Sequence, residues 1–185
     1  MDTIKRAECD SPSRHLGTIG EEVISNPKYP LPNECLGWVE YVDKPSLSKA
    51  TETARSFVGA KWRHRGRLPW ALDCIGLVIM SLAAGGIQMR DRKDYGRQPW
   101  RDGLDHDMIA HFGLPINKYE MQAGDIALLR WDGDPAPSHV GLVVQGEHSL
   151  HLIHAYSVIS VTEHRIDENW MSRIDRVYRP QWGNE

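Results

Sequence analysis

The segment Ala71-Leu72-Asp73-Cys74-Ile75-Gly76-Leu77-Val78-Ile79-Met80 decides how this chain is read. Its apolar residues continue through Leu82 and Ala83 until Gly85-Gly86, so the helix they form is hydrophobic almost all round. Such a helix belongs in a core, because no face of it gains from contact with water. Asp73 is a favourable N-cap and predicts a helix that starts at the next residue, Cys74. The first turn of a helix carries unpaired N–H groups and a partial positive charge. Where these dominate they favour thiolate over thiol and lower a cysteine pKa to roughly 3.5 to 7.5. Cys74 is therefore either a small buried hydrophobe or a nucleophile.

Upstream, residues 1–45 are polar, weakly periodic and interrupted by Pro27, Pro30, Pro32 and Pro45. They predict an N-terminal arm without a core of its own, with Trp38, Val39 and Tyr41 available to dock it. From Ser46 or Ser48, Leu47, Ala50, Ala54, Phe57 and Val58 recur at helical spacing until Gly59. A loop with Gly66 and Pro69 leads to the Cys74 helix. Downstream, residues 87–103 are rich in Arg and Asp, and a short helix is predicted over Asp105 to Phe112, closed by Gly113 and Pro115. Gly124-Asp125 forms a turn before a buried strand at 126–131. Strand-like runs follow at 139–145, 150–156 and 158–162, then a short helix near Asp167 to Met171 and a last strand at Arg176 to Arg179. Helices followed by short strands predict an α+β fold over residues 46–185, a helical layer packed on a mostly antiparallel sheet.

Composition narrows the function classes. Of 185 residues, 41% are hydrophobic and 25% charged, with a net charge of -3, a balance that gives no reason to expect nucleic-acid binding. The short basic run Arg63-His64-Arg65-Gly66-Arg67 reads as a solvated loop. Cys9, Cys35 and Cys74 are an odd count without CxxC spacing, which indicates neither a disulfide framework nor a zinc knuckle and fits a reducing compartment. No run approaches the roughly 18 apolar residues of a membrane span, and Met1 to Asp10 has no apolar segment of signal-peptide type.

Two histidines complete a possible catalytic set with Cys74. A thiol nucleophile needs an imidazole within hydrogen-bond reach and a third polar group that fixes the imidazole's tautomer. In period-2 geometry His139, Gly141 and Val143 share one strand face, and Leu152 and His154 share a face that excludes His151. Adjacent strands would then join His139 to His154. Each histidine taken alone is an ordinary strand residue. A metal reading of His148, His151, His154 and His164 is weak, since His151 and His154 point to opposite faces and no HExxH helix is present. Neither a metal nor an organic cofactor is expected.

These residues carry a family resemblance. Asp73-Cys74-Ile75-Gly76-Leu77-Val78, Gly124-Asp125-Ile126, Ser138-His139-Val140-Gly141 and Ile153-His154-Ala155-Tyr156, in that order, resemble the NlpC-type cell-wall peptidases, and among them the small peptidases encoded with phage tail genes. The resemblance spans about Ala54 to Pro180. It implies a papain-like α+β fold and hydrolysis of peptide bonds in peptidoglycan stems, commonly between D-glutamate and diaminopimelate or at the diaminopimelate cross-link. Carried over, Cys74 is the nucleophile, His139 the general base and His154 the group orienting it. Asp73 caps the helix and shapes the substrate-amine site. Where the family has a tyrosine twelve residues before its cysteine, this chain has Trp62, whose indole N–H can donate but cannot accept a hydrogen bond, so Trp62 either donates to the oxyanion or is only a wall of the cleft. The segment between His139 and His154 is slightly longer than usual, which makes His151 a rival for third catalytic residue.

The resulting expectation is a cysteine endopeptidase acting on peptidoglycan stem peptides. Without an export signal the enzyme needs a vehicle, and a virion tail that brings it to the cell wall supplies one, with other tail-tip proteins as partners. The rival readings are a structural tail-tip subunit with little catalysis, and a thiol amidase or acyltransferase on another substrate, which shares the same Cys/His chemistry.

Overall fold

The computed structural model describes residues 39–41, 44–97, 101–157 and 159–183, and for 39–41 the backbone alone. Most of the proposed arm, residues 1–38, lies outside the described residues. At the other end of that arm, strand β1 (Val39–Tyr41) pairs antiparallel with β5 (Ile87–Met89), Val39 opposite Met89.

Helix α1 (Leu47–Ser56) begins at Ser46, whose hydroxyl accepts from the Lys49 N–H at 3.3 Å, as a serine cap should. Its inward residues Ala50, Ala54 and the following Phe57 are buried. Helix α2 (Cys74–Ala84) begins at Asp73 and ends at Gly85, so both predicted boundaries of the apolar segment are met. Leu77 and Leu82 are fully buried and Val78 nearly so. Each such side chain contributes roughly 1.5–3 kcal/mol relative to exposure. Helix α3 (Leu104–Phe112) lays Leu104, Met108, Ile109 and Phe112 into the cluster that holds Ile75 and Ile79, which covers the side of α2 left open by the sheet.

The main sheet has five strands in the order β10-β6-β7-β8-β9, all antiparallel: β6 (Ile126–Leu129), β7 (His139–Gln145), β8 (Leu150–Ala155), β9 (Val161–Arg165) and β10 (Ile174–Tyr178). All four β6 residues are buried, because the sheet is covered on both faces. One face meets α1 and α2 through Leu142, Val144, Ile153 and Ala155, which pack with Leu77 and Phe57. Val143 and Leu152 point the other way, toward Ile174, Val177 and Trp170 of the short helix α4 (Glu168–Arg173), itself capped by Asp167. The strand predicted at 158–162 begins at Val161 and continues to Arg165. A small sheet of two-residue strands, β2 (Lys61–Trp62), β4 (Ala71–Leu72) and β3 (Arg67–Leu68), precedes α2 and is absent from the sequence reading. Segments so short carry no period to detect. Among the described residues no helix is long and apolar enough to cross a membrane.

Candidate active site

Cys74 opens α2 and is 8% exposed. The residue before it fixes that start. Asp73 is 3% exposed, and its Oδ1 accepts from the Gly76 N–H at 2.8 Å and from Arg67 Nη1 at 3.1 Å. Its Oδ2 accepts from the Arg65 N–H at 2.6 Å and from the Tyr95 hydroxyl at 2.8 Å. One carboxylate thereby ties the helix N-terminus to the β2–β3 loop and to the 90–97 stretch. Glycine is required beneath it, since a Cβ on Gly76 would lie 2.2 Å from the Gly66 carbonyl oxygen.

The two histidines meet as their strand faces require. His139 Nε2 lies 2.8 Å from His154 Nδ1, and the rings cross at 83°. The register Leu142 opposite Ile153 sets them diagonally across β7 and β8. Gly141 between them leaves room: a Cβ there would come within 3.1 Å of the His154 Cβ and 2.9 Å of the Ile153 carbonyl oxygen. The pair lies on the α4 face of the sheet, opposite to α2. His139 nonetheless lines the same cavity as Cys74, since it is the first residue of β7 and its neighbour Val140 offers a backbone hydrogen bond to Cys74. His154 is fully buried, with Trp170 at 4.9 Å, His164 at 5.3 Å and Tyr156 at 5.9 Å between ring centroids. Its Nε2 has no hydrogen-bond partner among the described residues.

These contacts constrain the tautomers. With His139 Nε2 turned to His154, Nδ1 is the nitrogen left for the thiol. Were His139 to act as a base through Nδ1, its Nε2–H would donate to His154 Nδ1 and His154 would carry its own proton on the enclosed Nε2. His151 is turned to the other face, where Nδ1 contacts Glu163 Oε1 at 3.0 Å and Arg55 holds the same carboxylate. It is remote from the His139–His154 bond. His164 touches the His154 ring and contacts Thr162 Oγ1 through Nε2 at 2.9 Å.

A cavity of about 250 Å³ opens over the thiol. Cys74, Asp73 and His139 line it together with Trp62, His64, Tyr95, Gly96 and Arg97 from one group of segments and Trp131, Asp134, Ser138, Ala155, Tyr156 and Ser157 from another. Trp62 stacks with His64 at 6.2 Å, and the Arg97 guanidinium sits 5.7 Å over the Trp62 ring. His64, Tyr95, Arg97, Trp131 and Asp134 were not legible as cavity residues. The 62–67 and 87–103 runs read as polar loops, and only the fold brings them to the thiol.

Burial pushes the Cys74 thiol up to about 12, with the Asp73 charge adding to the rise, while the backbone N–H groups of Val140, Ile75 and Cys74 pull the other way. Burial also lowers His139 to about 4, and His154 to about 2 with help from His139 and His164. The lowered thiol pKa expected from the helix start is thus reversed. Desolvation and a carboxylate one residue away outweigh the helix terminus. Both shifts act in one direction, favouring the neutral thiol and the neutral imidazole.

The profile of the NlpC/P60 family matches residues 59–179, which takes in α2 and the whole main sheet. No curated protein sequence shows a significant match. Among solved structures, an NlpC/P60 family protein from Bacillus cereus superposes with a TM-score of 0.55 at 19% identity, covering 75% of this chain and 41% of its own. NlpC1 from Trichomonas vaginalis gives 0.53 at 19% identity, covering 75% and 45%. The NlpC/p60 domain of the peptidoglycan hydrolase SagA gives 0.51 at 20% identity, covering 73% of this chain and 99% of that domain. The chain spans about two fifths of the length of the Bacillus cereus protein, so what is shared with it is a domain. An apolar helix headed by Asp-Cys, packed on an antiparallel sheet that presents paired histidines, agrees with the profile match: the chain belongs to the NlpC/P60 family.

Proposed function

We propose that this protein is a cysteine endopeptidase that hydrolyses peptide bonds of peptidoglycan stem peptides. The observation that carries the reading is a cavity lined by both Cys74 and His139, with His139 Nε2 held by His154 at 2.8 Å. Cys74 Sγ attacks the scissile carbonyl carbon while His139 Nδ1 takes the thiol proton. The imidazolium so formed keeps its Nε2–H on His154 and passes the Nδ1 proton to the leaving amine. Water, deprotonated by His139, then cleaves the thioester, releases the acid and restores the thiol. The Cys74 backbone N–H at the helix start serves as one donor to the oxyanion, and the indole N–H of Trp62, which lines the same cavity, is the proposed second.

Peptidoglycan as substrate is supported by family membership and by the hydrolase SagA among the fold relatives. The place of action proposed is the bacterial cell wall, reached on a phage tail in contact with other tail-tip proteins. That part rests on the likeness of the four motifs to peptidases encoded with tail genes.

Digestion of purified peptidoglycan, with fragments identified by mass, tests the reaction. The wild-type protein is expected to release stem fragments with new amino termini, and Cys74→Ala to release none. Absence of new termini with the wild type, or their persistence in Cys74→Ala, would sink the reading. Immunodetection of the protein in purified virions tests the location.

A further inference from the structure

We propose that Asp134, rather than Asp73, is the carboxylate that receives an ammonium group of the substrate, on the leaving-group side of the scissile bond. This rests on the peptidase reading above. Three charged side chains of acidic or guanidinium type line the cavity: Asp73, Arg97 and Asp134. Asp73 was the expected amine site, but it has no capacity left. A carboxylate offers about four lone-pair positions, and Asp73 already accepts from the Gly76 and Arg65 N–H groups, from Arg67 and from Tyr95. Its charge is matched by Arg67 at 3.1 Å.

Asp134 differs on each count. It is half-buried, and its one side-chain partner among the described residues is the Ser138 hydroxyl, which donates to Oδ2 at 2.5 Å. Oδ1 makes no hydrogen bond or ion pair among those residues. The Ser138 contact orients the carboxylate without neutralising it.

Position then gives the side of the bond. Asp134 and Ser138 belong to the loop that runs into β7, whose first residue is His139. Trp131 touches His139 at 5.6 Å and Tyr156 at 5.6 Å, which gathers these rings into one wall. Because His139 protonates the leaving amine, the leaving residue lies against this wall. Arg97 stands with Trp62, His64 and Tyr95 in the other group, where a cation would be repelled. Arg173 stacks on Trp131 but does not line the cavity. The favoured leaving residue is therefore a diamino acid whose second amino group is free.

The test uses two synthetic peptides that differ only in that second amino group of the leaving residue, free in one and acetylated in the other. kcat/KM is measured for both with the wild type and with Asp134→Asn, in which the side-chain oxygen can still accept from Ser138. A charge-assisted hydrogen bond predicts a wild-type preference for the free amine of about 10-fold or more, falling close to one in Asp134→Asn. A wild-type ratio near one, or a ratio that Asp134→Asn leaves intact, overturns the proposal. Binding of the same peptides to Cys74→Ala, with and without Asp134→Asn, separates the two readings. An Asp134-dependent preference in binding without cleavage by the wild type would support the carboxylate site and refute the peptidase. Equal binding of both peptides to Cys74→Ala would refute the site while leaving the peptidase to the digestion experiment.

Discussion

Asp73→Ala is the substitution whose cost is most directly set by this geometry. It deletes a helix cap, worth about 1 kcal/mol. It also strips a nine-tenths buried ion pair of one partner, a change that costs roughly 3–5 kcal/mol where the remaining charge has no other partner. Here Arg67 retains Asp91 at 2.7 Å, so the lower part of that range applies. The sum is about 4 kcal/mol. For a protein of this size that lowers Tm by about 8–16 °C. Asp73→Asn keeps an oxygen for the Gly76 N–H but turns an NH2 toward donors and leaves Arg67 less well balanced, so a loss of about 2 kcal/mol is expected. Urea and thermal unfolding of the three proteins measure both values. Removing the Asp73 charge also removes one cause of the raised thiol pKa, so Cys74 alkylation in Asp73→Asn is expected to rise at lower pH than in the wild type. Stability of Asp73→Ala within 1 kcal/mol of wild type would show that the four contacts are not cooperative. An alkylation profile unmoved in Asp73→Asn would show that its charge does not reach the thiol.

Other outcomes follow from the histidines and the sheet. His139→Ala is expected to lose about 10²-fold or more in kcat, the usual worth of a general base. His154→Gln should retain more activity than His154→Ala, because an amide oxygen can still accept from His139 Nε2–H, and His151→Ala should leave kcat near wild type; the reverse ranking in steady-state assays would assign the third role to His151. Burial lowers both His139 and His154 on folding, so the unfolded chain binds more protons below its own pKa of about 6.5. Their contribution to stability is complete above that pH and is lost as pH falls toward about 4, where His139 alone accounts for on the order of 3 kcal/mol. Urea midpoints at pH 7 and 4.5 check the sign, and in His139→Gln the drop should shrink. Gly141→Ala should destabilise by about 1–3 kcal/mol through overpacking against Leu152 and Ile153, with a further loss of rate as His154 is displaced; full activity in that variant would mean the histidine pair tolerates movement.

What was legible in the sequence is local in the chain. The cap at Asp73, the apolar run to Leu82 and the stop at Gly85 depend on neighbours within one or two helical turns, and α2 occupies the predicted span. Period-2 alternation likewise put His139 and His154 on faces that could meet, while the longer segment between them left His151 as a rival; the fold turns His151 to Glu163 on the other face. The α+β class came from the order of such elements. Tertiary structure decided what depends on distant segments. The β2–β4 sheet and the 90–97 stretch bring His64, Tyr95 and Arg97 to a cysteine up to 23 residues away in sequence, through contacts to which no local pattern points. It also reversed the sign of one expectation. A helix terminus is a local property and favours thiolate, whereas burial of Cys74 under the sheet and the saturation of Asp73 by four donors arise only when the chain closes on itself. Desolvation acts on every charge in that enclosed volume, and it shifts both Cys74 and His139 toward their neutral forms.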